Sequence, residues 1–119
     1  MLFNKKNTSE IGSSAETLAA NYLADQGLKI IERNFSAKTG EIDLIALDEK
    51  TLVFIEVKFR KSARFGQPYE TVTHSKQQKI IRTAQTFLQK NKKHTKKACR
   101  FDIISILNDD ITWFKHAFE

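Results

Sequence analysis

The chain has 119 residues, 40% hydrophobic and 29% charged with a formal net charge of +6, which is enough for one domain with a core and too little for two. Its single cysteine, Cys99, excludes an internal disulfide and a cysteine zinc cluster, and no apolar run approaches the roughly 20 residues of a membrane span. The opening Met1 to Lys6 is too short for a secretion signal, so the expected location is the cytoplasm, with no membrane partner.

Residues 1–8 are expected to be a flexible N-terminus. Ile11, Ala15, Leu18, Ala19, Tyr22 and Leu23 recur at helical spacing and predict a first helix, with Gly27 as its stop. Ser13 and Glu16 within it fit a capping box, in which the glutamate reaches back to the backbone of the helix start. Leu28 to Phe35 reads as a strand, and Ala37 to Gly40 as a turn into a hairpin of Glu41 to Leu47 and Leu52 to Phe59. Residues 61–75 are expected to be a mobile loop. On it Phe65 and Tyr69 are expected to pack against the domain, with base stacking as the sharper alternative. Gln77, Ile80, Ile81, Ala84 and Leu88 predict the apolar stripe of a second helix, with Lys79, Arg82, Thr83, Thr86 and Lys90 opposite. A basic loop at 91–98 leads to Cys99, expected as a small buried strand residue. Two strands, Phe101 to Leu107 and Ile111 to Phe114, then flank the turn Asn108-Asp109-Asp110. Asp102 is expected as a structural hydrogen-bond acceptor, Trp113 as core or a subunit contact, and His74, His94 and His116 as surface residues. The order αβββαββ predicts an α/β sandwich, a mixed central sheet flanked by helices.

The hairpin is the most informative stretch. Its register sets Leu47 opposite Leu52, Ile45 opposite Phe54, Asp43 opposite Glu56 and Glu41 opposite Lys58, whether the turn holds two residues or four. Ile42, Leu44, Ala46, Val53, Ile55, Val57 and Phe59 fall on the other face, which is then wholly apolar. Two carboxylates directly opposed on a sheet repel, so Asp43 and Glu56 require a cation or a proton between them. Hard divalent ions such as magnesium take carboxylate oxygens and serve phosphate chemistry. Lys58 shares the face of Glu56 and can set an ammonium beside a water or a phosphate that gains charge. Glu41, facing Lys58, is read three ways: orienting that lysine, ligating a second ion, or balancing charge.

The charge is divided at this site. Met1 to Val57 holds six basic and nine acidic residues, whereas Lys58 to Glu119 holds fourteen and five. Arg60, Lys61 and Arg64 follow the hairpin, and Lys76 and Lys79 enter the second helix, a field suited to a polyanion whose phosphates approach carboxylates. The lysine run Lys92 to Lys97 reads equally well as a solvated loop.

Asp43 followed after twelve residues by Glu56-Val57-Lys58 resembles the active-site signature of the PD-(D/E)XK nuclease superfamily, of restriction-endonuclease-like fold. The leading proline of that signature is replaced by Glu41-Ile42. More closely, the chain resembles the YraN family of small bacterial proteins. The resemblance runs over Gly12 and Glu16, Arg33-Asn34, Gly40 to Ile45, Phe54 to Lys58, Phe65-Gly66, Lys76, Arg100 to Asp102 and Ala117-Phe118. That family is similar to archaeal Holliday junction resolvases. The resemblance implies a magnesium- or manganese-dependent DNA endonuclease acting on branched DNA, as a homodimer. Asp43, Glu56 and the Val57 carbonyl would hold the ion, Lys58 would act at the attacking water, and Glu16 would assist metal binding from the first helix. The alternative is a nucleic-acid-binding or scaffolding module that does not cleave.

Overall fold

A computed structural model describes residues 8–119, with side chains from residue 11 onward. The segment 1–8, expected to be flexible, thus lies outside the described residues except for the backbone of Thr8. The elements in chain order are α1 (Thr8–Asp25), β1 (Lys29–Ala37), β2 (Gly40–Asp48), β3 (Thr51–Arg60), α2 (His74–Lys90), β4 (Cys99–Leu107) and β5 (Asp110–Phe118). This is the mixed α/β order read from the sequence. The strands lie side by side as β1-β2-β3-β4-β5. Tight turns join the antiparallel neighbours, but β3 and β4 run parallel, so the chain must cross over between them, and α2 lies in that crossover.

The helices cover opposite faces of the sheet. Ala15, Ala19 and Leu23 of α1 pack on Leu44, Ala46, Val53, Ile55, Val57, Ile104 and Ile106. On the other face Ile80, Ala84 and Phe87 of α2 pack on Ile42, Ile45, Leu52, Phe54 and Ile103. Because β3 is covered from both sides, Leu52 to Ile55 form an unbroken apolar run rather than a half-polar alternation. Both outer strands are irregular: the β1 register shifts between Ile30 and Glu32, the β4–β5 register between Phe101 and Ile103, and Asn34 and His116 take φ of 53° and 51°.

Several expectations are corrected. Ile42 leaves the face assigned to it and packs on the α2 side, past the point where the β2–β3 ladder stops at Leu44 and Ile55. The buried stripe of α2 is Ile80, Thr83, Ala84 and Phe87. Thr83 faces inward, fully buried, because its hydroxyl is satisfied by the Lys79 carbonyl at 2.8 Å and the Thr39 hydroxyl at 2.7 Å. His94 is buried, not on the surface: the short 3-10 turn Lys92–His94 folds back so that its ring stacks on Phe87, centroids 6.2 Å apart. Cys99, expected inside, is exposed where β4 begins. The segment 61–75 contains a 3-10 turn, Pro68–Thr71, whose Tyr69 packs on Phe114, whereas Phe65 is exposed. Asp102 is the buried acceptor anticipated, bonded by Arg100 Nε, Trp113 Nε1 and the His116 N–H at 2.9 to 3.2 Å. Trp113 is half-buried beneath α1, edge-on to Tyr22.

Candidate metal and phosphate site

Asp43 and Glu56 stand just beyond the last rungs of the β2–β3 ladder. There the Asp43 carboxylate replaces the missing backbone partner, its Oδ2 accepting the Val57 N–H at 2.8 Å. In a strand the N–H and C=O of one residue point to the same neighbour, so the Val57 carbonyl faces this gap as well. Burial, and after it the neighbouring Asp43 carboxyl, push the Glu56 carboxyl up to about 9, while Lys58 and Lys76 pull the other way. Without a cation, Glu56 therefore holds its proton to higher pH than an ordinary glutamate.

Glu16 approaches from α1, the far side of β2. It lies in the middle of the helix, which begins at Thr8, so the capping-box reading with Ser13 falls. Oxygens of Glu16, Glu41 and Asp43 lie within 4.8 Å of one another. Partial burial and the charge of Asp43 raise the Glu16 carboxyl to about 7, against the opposing influence of Asn34 and Arg33. Arg33 donates to the Thr17 hydroxyl at 3.0 Å and stands 3.9 Å from Glu16. Adjacent strand residues ordinarily point to opposite faces, yet Arg33 and Asn34 both reach Glu16, and the left-handed turn of the backbone at Asn34 accompanies that departure. The sequence reading gave these two residues no role. Their signal was an asparagine, tolerant of positive φ, inside a strand that pairs with the one carrying Asp43.

Three elements thus supply four carboxylates, Glu16, Glu41 and Asp43 clustered and Glu56 beside Asp43, with Lys58 Nζ 3.9 Å from Glu56 Oε2. Glu41 joins Glu16 and Asp43, and it also lines a small cleft of about 130 Å³ with Glu56, Lys76, Lys79 and Ile80. The exposed Lys76 and Lys79 face the carboxylates across this cleft from the first turns of α2. Arg60 is the last residue of β3, and Lys61 and Arg64 lie beyond it. Arg60 turns into its own loop and donates to the Phe65 carbonyl at 2.9 Å, while Lys61 and Arg64 are exposed.

Fold and site define a mixed α/β protein with an all-oxygen acidic cluster between two helices, edged by lysines. The chain belongs to the uncharacterised protein family UPF0102, the YraN family of the sequence resemblance, whose model matches residues 15–106. Among curated relatives, a UPF0102 protein of Saccharophagus degradans is 50% identical over 109 residues, covering 92% of each chain. One of Coxiella burnetii is 50% identical over 113 residues, covering 94% of each. A third, of Francisella tularensis subsp. tularensis, is 49% identical over 112 residues, covering 93% of this chain and 96% of its own. Among the described residues no helix is long and apolar enough to cross a membrane.

Proposed function

We propose that this protein is a magnesium- or manganese-dependent DNA endonuclease of the PD-(D/E)XK superfamily, with the restriction-endonuclease-like fold. It hydrolyses phosphodiester bonds in branched or junction DNA, in the cytoplasm and as a homodimer. The observation that carries this reading is the convergence of Glu16, Glu41, Asp43 and Glu56 from three elements, with Lys58 3.9 Å from Glu56. The order αβββαββ around a mixed sheet is compatible with it.

The donor set fits a hard divalent cation: every donor is oxygen, and burial, followed by the charge of Asp43, raises two of the carboxyls. Asp43, Glu56 and the Val57 carbonyl would hold the ion, with Glu16 assisting. Bound there, a divalent cation supplies the positive charge that makes a water nucleophilic near neutral pH and offsets charge on a phosphate. The chain's own groups do the rest. The Val57 N–H fixes the Asp43 carboxylate. Lys58, held beside Glu56, stabilises negative charge growing on the phosphate and positions the attacking water. Lys76 and Lys79 receive the phosphate from the opposite wall of the cleft, and Arg60, Lys61 and Arg64 extend the cationic track.

The test is a panel of flap, fork, four-way and single-stranded substrates with magnesium or manganese. Cleavage of the branched substrates is expected. Lys58→Ala should slow single-turnover cleavage on the order of 100-fold while leaving DNA affinity nearly intact. Cleavage by Lys58→Ala at the parental rate refutes the role given to that lysine. A parent that binds branched DNA and never cuts it is instead a non-cleaving binding or scaffolding module.

A further inference from the structure

Phe65 stands on the loop after β3 with 81% of its surface exposed. A lone surface phenylalanine is ordinary. This one is held out by a clamped backbone. The Arg60 guanidinium binds its carbonyl at 2.9 Å, and the next residue, Gly66, takes φ of 109° where a Cβ would meet Glu70 Oε2 at 2.6 Å. The Glu70 carboxylate also accepts the Gln67 N–H, and the Tyr69 N–H is bonded to Ser105 on β4 at 3.1 Å. The loop is therefore tied down on both sides of a ring that contributes nothing to the core. The Arg64 guanidinium lies over that ring, 5.4 Å from its centroid. Between Glu56 and Glu70 the chain carries Lys58, Arg60, Lys61 and Arg64 and no acidic residue.

A fixed, exposed aromatic face, a guanidinium on it and an uninterrupted cationic segment together match an unpaired base with its flanking phosphates. Base–aromatic stacking needs only a free ring face, and the phosphates supply the charge that the loop lacks. We propose that Phe65, with Arg64, is a stacking platform for an unpaired nucleobase. The inference rests on the nucleic-acid reading above and adds the feature of the substrate that the loop selects.

Binding is measured without divalent cation, by fluorescence anisotropy, for a duplex carrying a single-stranded flap and for the matched blunt duplex. Phe65→Ala should lose roughly tenfold or more on the flap substrate, while blunt-duplex affinity stays within about twofold. Phe65→Trp should restore flap affinity, and its indole fluorescence should be quenched by the flap beyond any change in the parent. Equal affinities of Phe65→Ala and parent, or an equal loss on both substrates, overturn the platform. A shift in sedimentation of Phe65→Ala with no selective loss of flap binding overturns it too, assigning the ring to contact with a second copy. A parent that binds neither substrate overturns the nucleic-acid reading itself along with the platform. A parent that binds both, with flap binding indifferent to Phe65, removes the platform alone.

Discussion

Asp43 and Glu56 illustrate how a single pair of side chains can oppose the fold that carries it. Glu56 is raised from the ordinary 4.5 to about 9 and Glu16 to about 7, so each holds its proton more tightly folded than unfolded. Such groups contribute their full stability below about pH 4.5 and lose it as the pH climbs through 7 and then 9. The cation-free stability difference between Glu56→Gln and the parent should therefore grow in the variant's favour from about pH 5 to about pH 9. Thermal melts across that window check it, and a difference that shrinks or reverses sinks the like-charge account. Asp43→Asn keeps an oxygen for the Val57 N–H, so it too should fold at least as stably without metal. Each substitution should strongly weaken manganese binding in calorimetry, because each removes a charged ligand.

Helix α2 tests the packing at the scale of one element. Phe87 is 2% exposed and meets Phe35, Phe54 and His94, so Phe87→Ala should cost about 3–5 kcal/mol in chemical denaturation. A loss below about 1 kcal/mol would mean that α2 does not seat as described. This helix also marks where the sequence stopped being legible. The β2–β3 hairpin was readable because its alternation has period two and its turn is short, and the rungs Leu47–Leu52 and Ile45–Phe54 are those anticipated. Helical stripes are less sharply defined. Thr83 looks polar until Thr39, 44 residues away, supplies its partner. His94 sits among lysines whose composition suggests solvent and conceals the ring of Phe87 beneath it. Glu16 was ambiguous for a similar reason, since a capping box depends on where the helix starts and Thr8 lies upstream of the apolar pattern. The carboxylates Asp43 and Glu56 were visible from their own hairpin. Arg33 and Asn34 join them only through a backbone kink that spacing does not encode.

Over the whole molecule the two halves of the charge division meet at one cleft, where Glu41 of β2 and Glu56 of β3 face Lys76 and Lys79 of α2. If that field binds nucleic acid, log affinity should fall linearly with log salt, with a slope of roughly −0.9 per duplex phosphate neutralised. Replacing Arg60, Lys61 and Arg64 by alanine should flatten the slope, and affinity that ignores salt in the parent would remove nucleic acid from the reading. The irregular outer strands act on a different property, the protein's behaviour at high concentration. A sheet open at both ends offers rows of unpaired N–H and C=O groups on which another chain can add a strand. Here β1 shifts register between Ile30 and Glu32 and takes a positive φ at Asn34, and β5 takes one at His116, beside the β4–β5 shift between Phe101 and Ile103. Kinks of this kind turn backbone groups out of line, so neither border is a straight template. The expected consequence is that copies of the protein do not extend the sheet into a fibre, and that the proposed homodimer forms through a face or a loop.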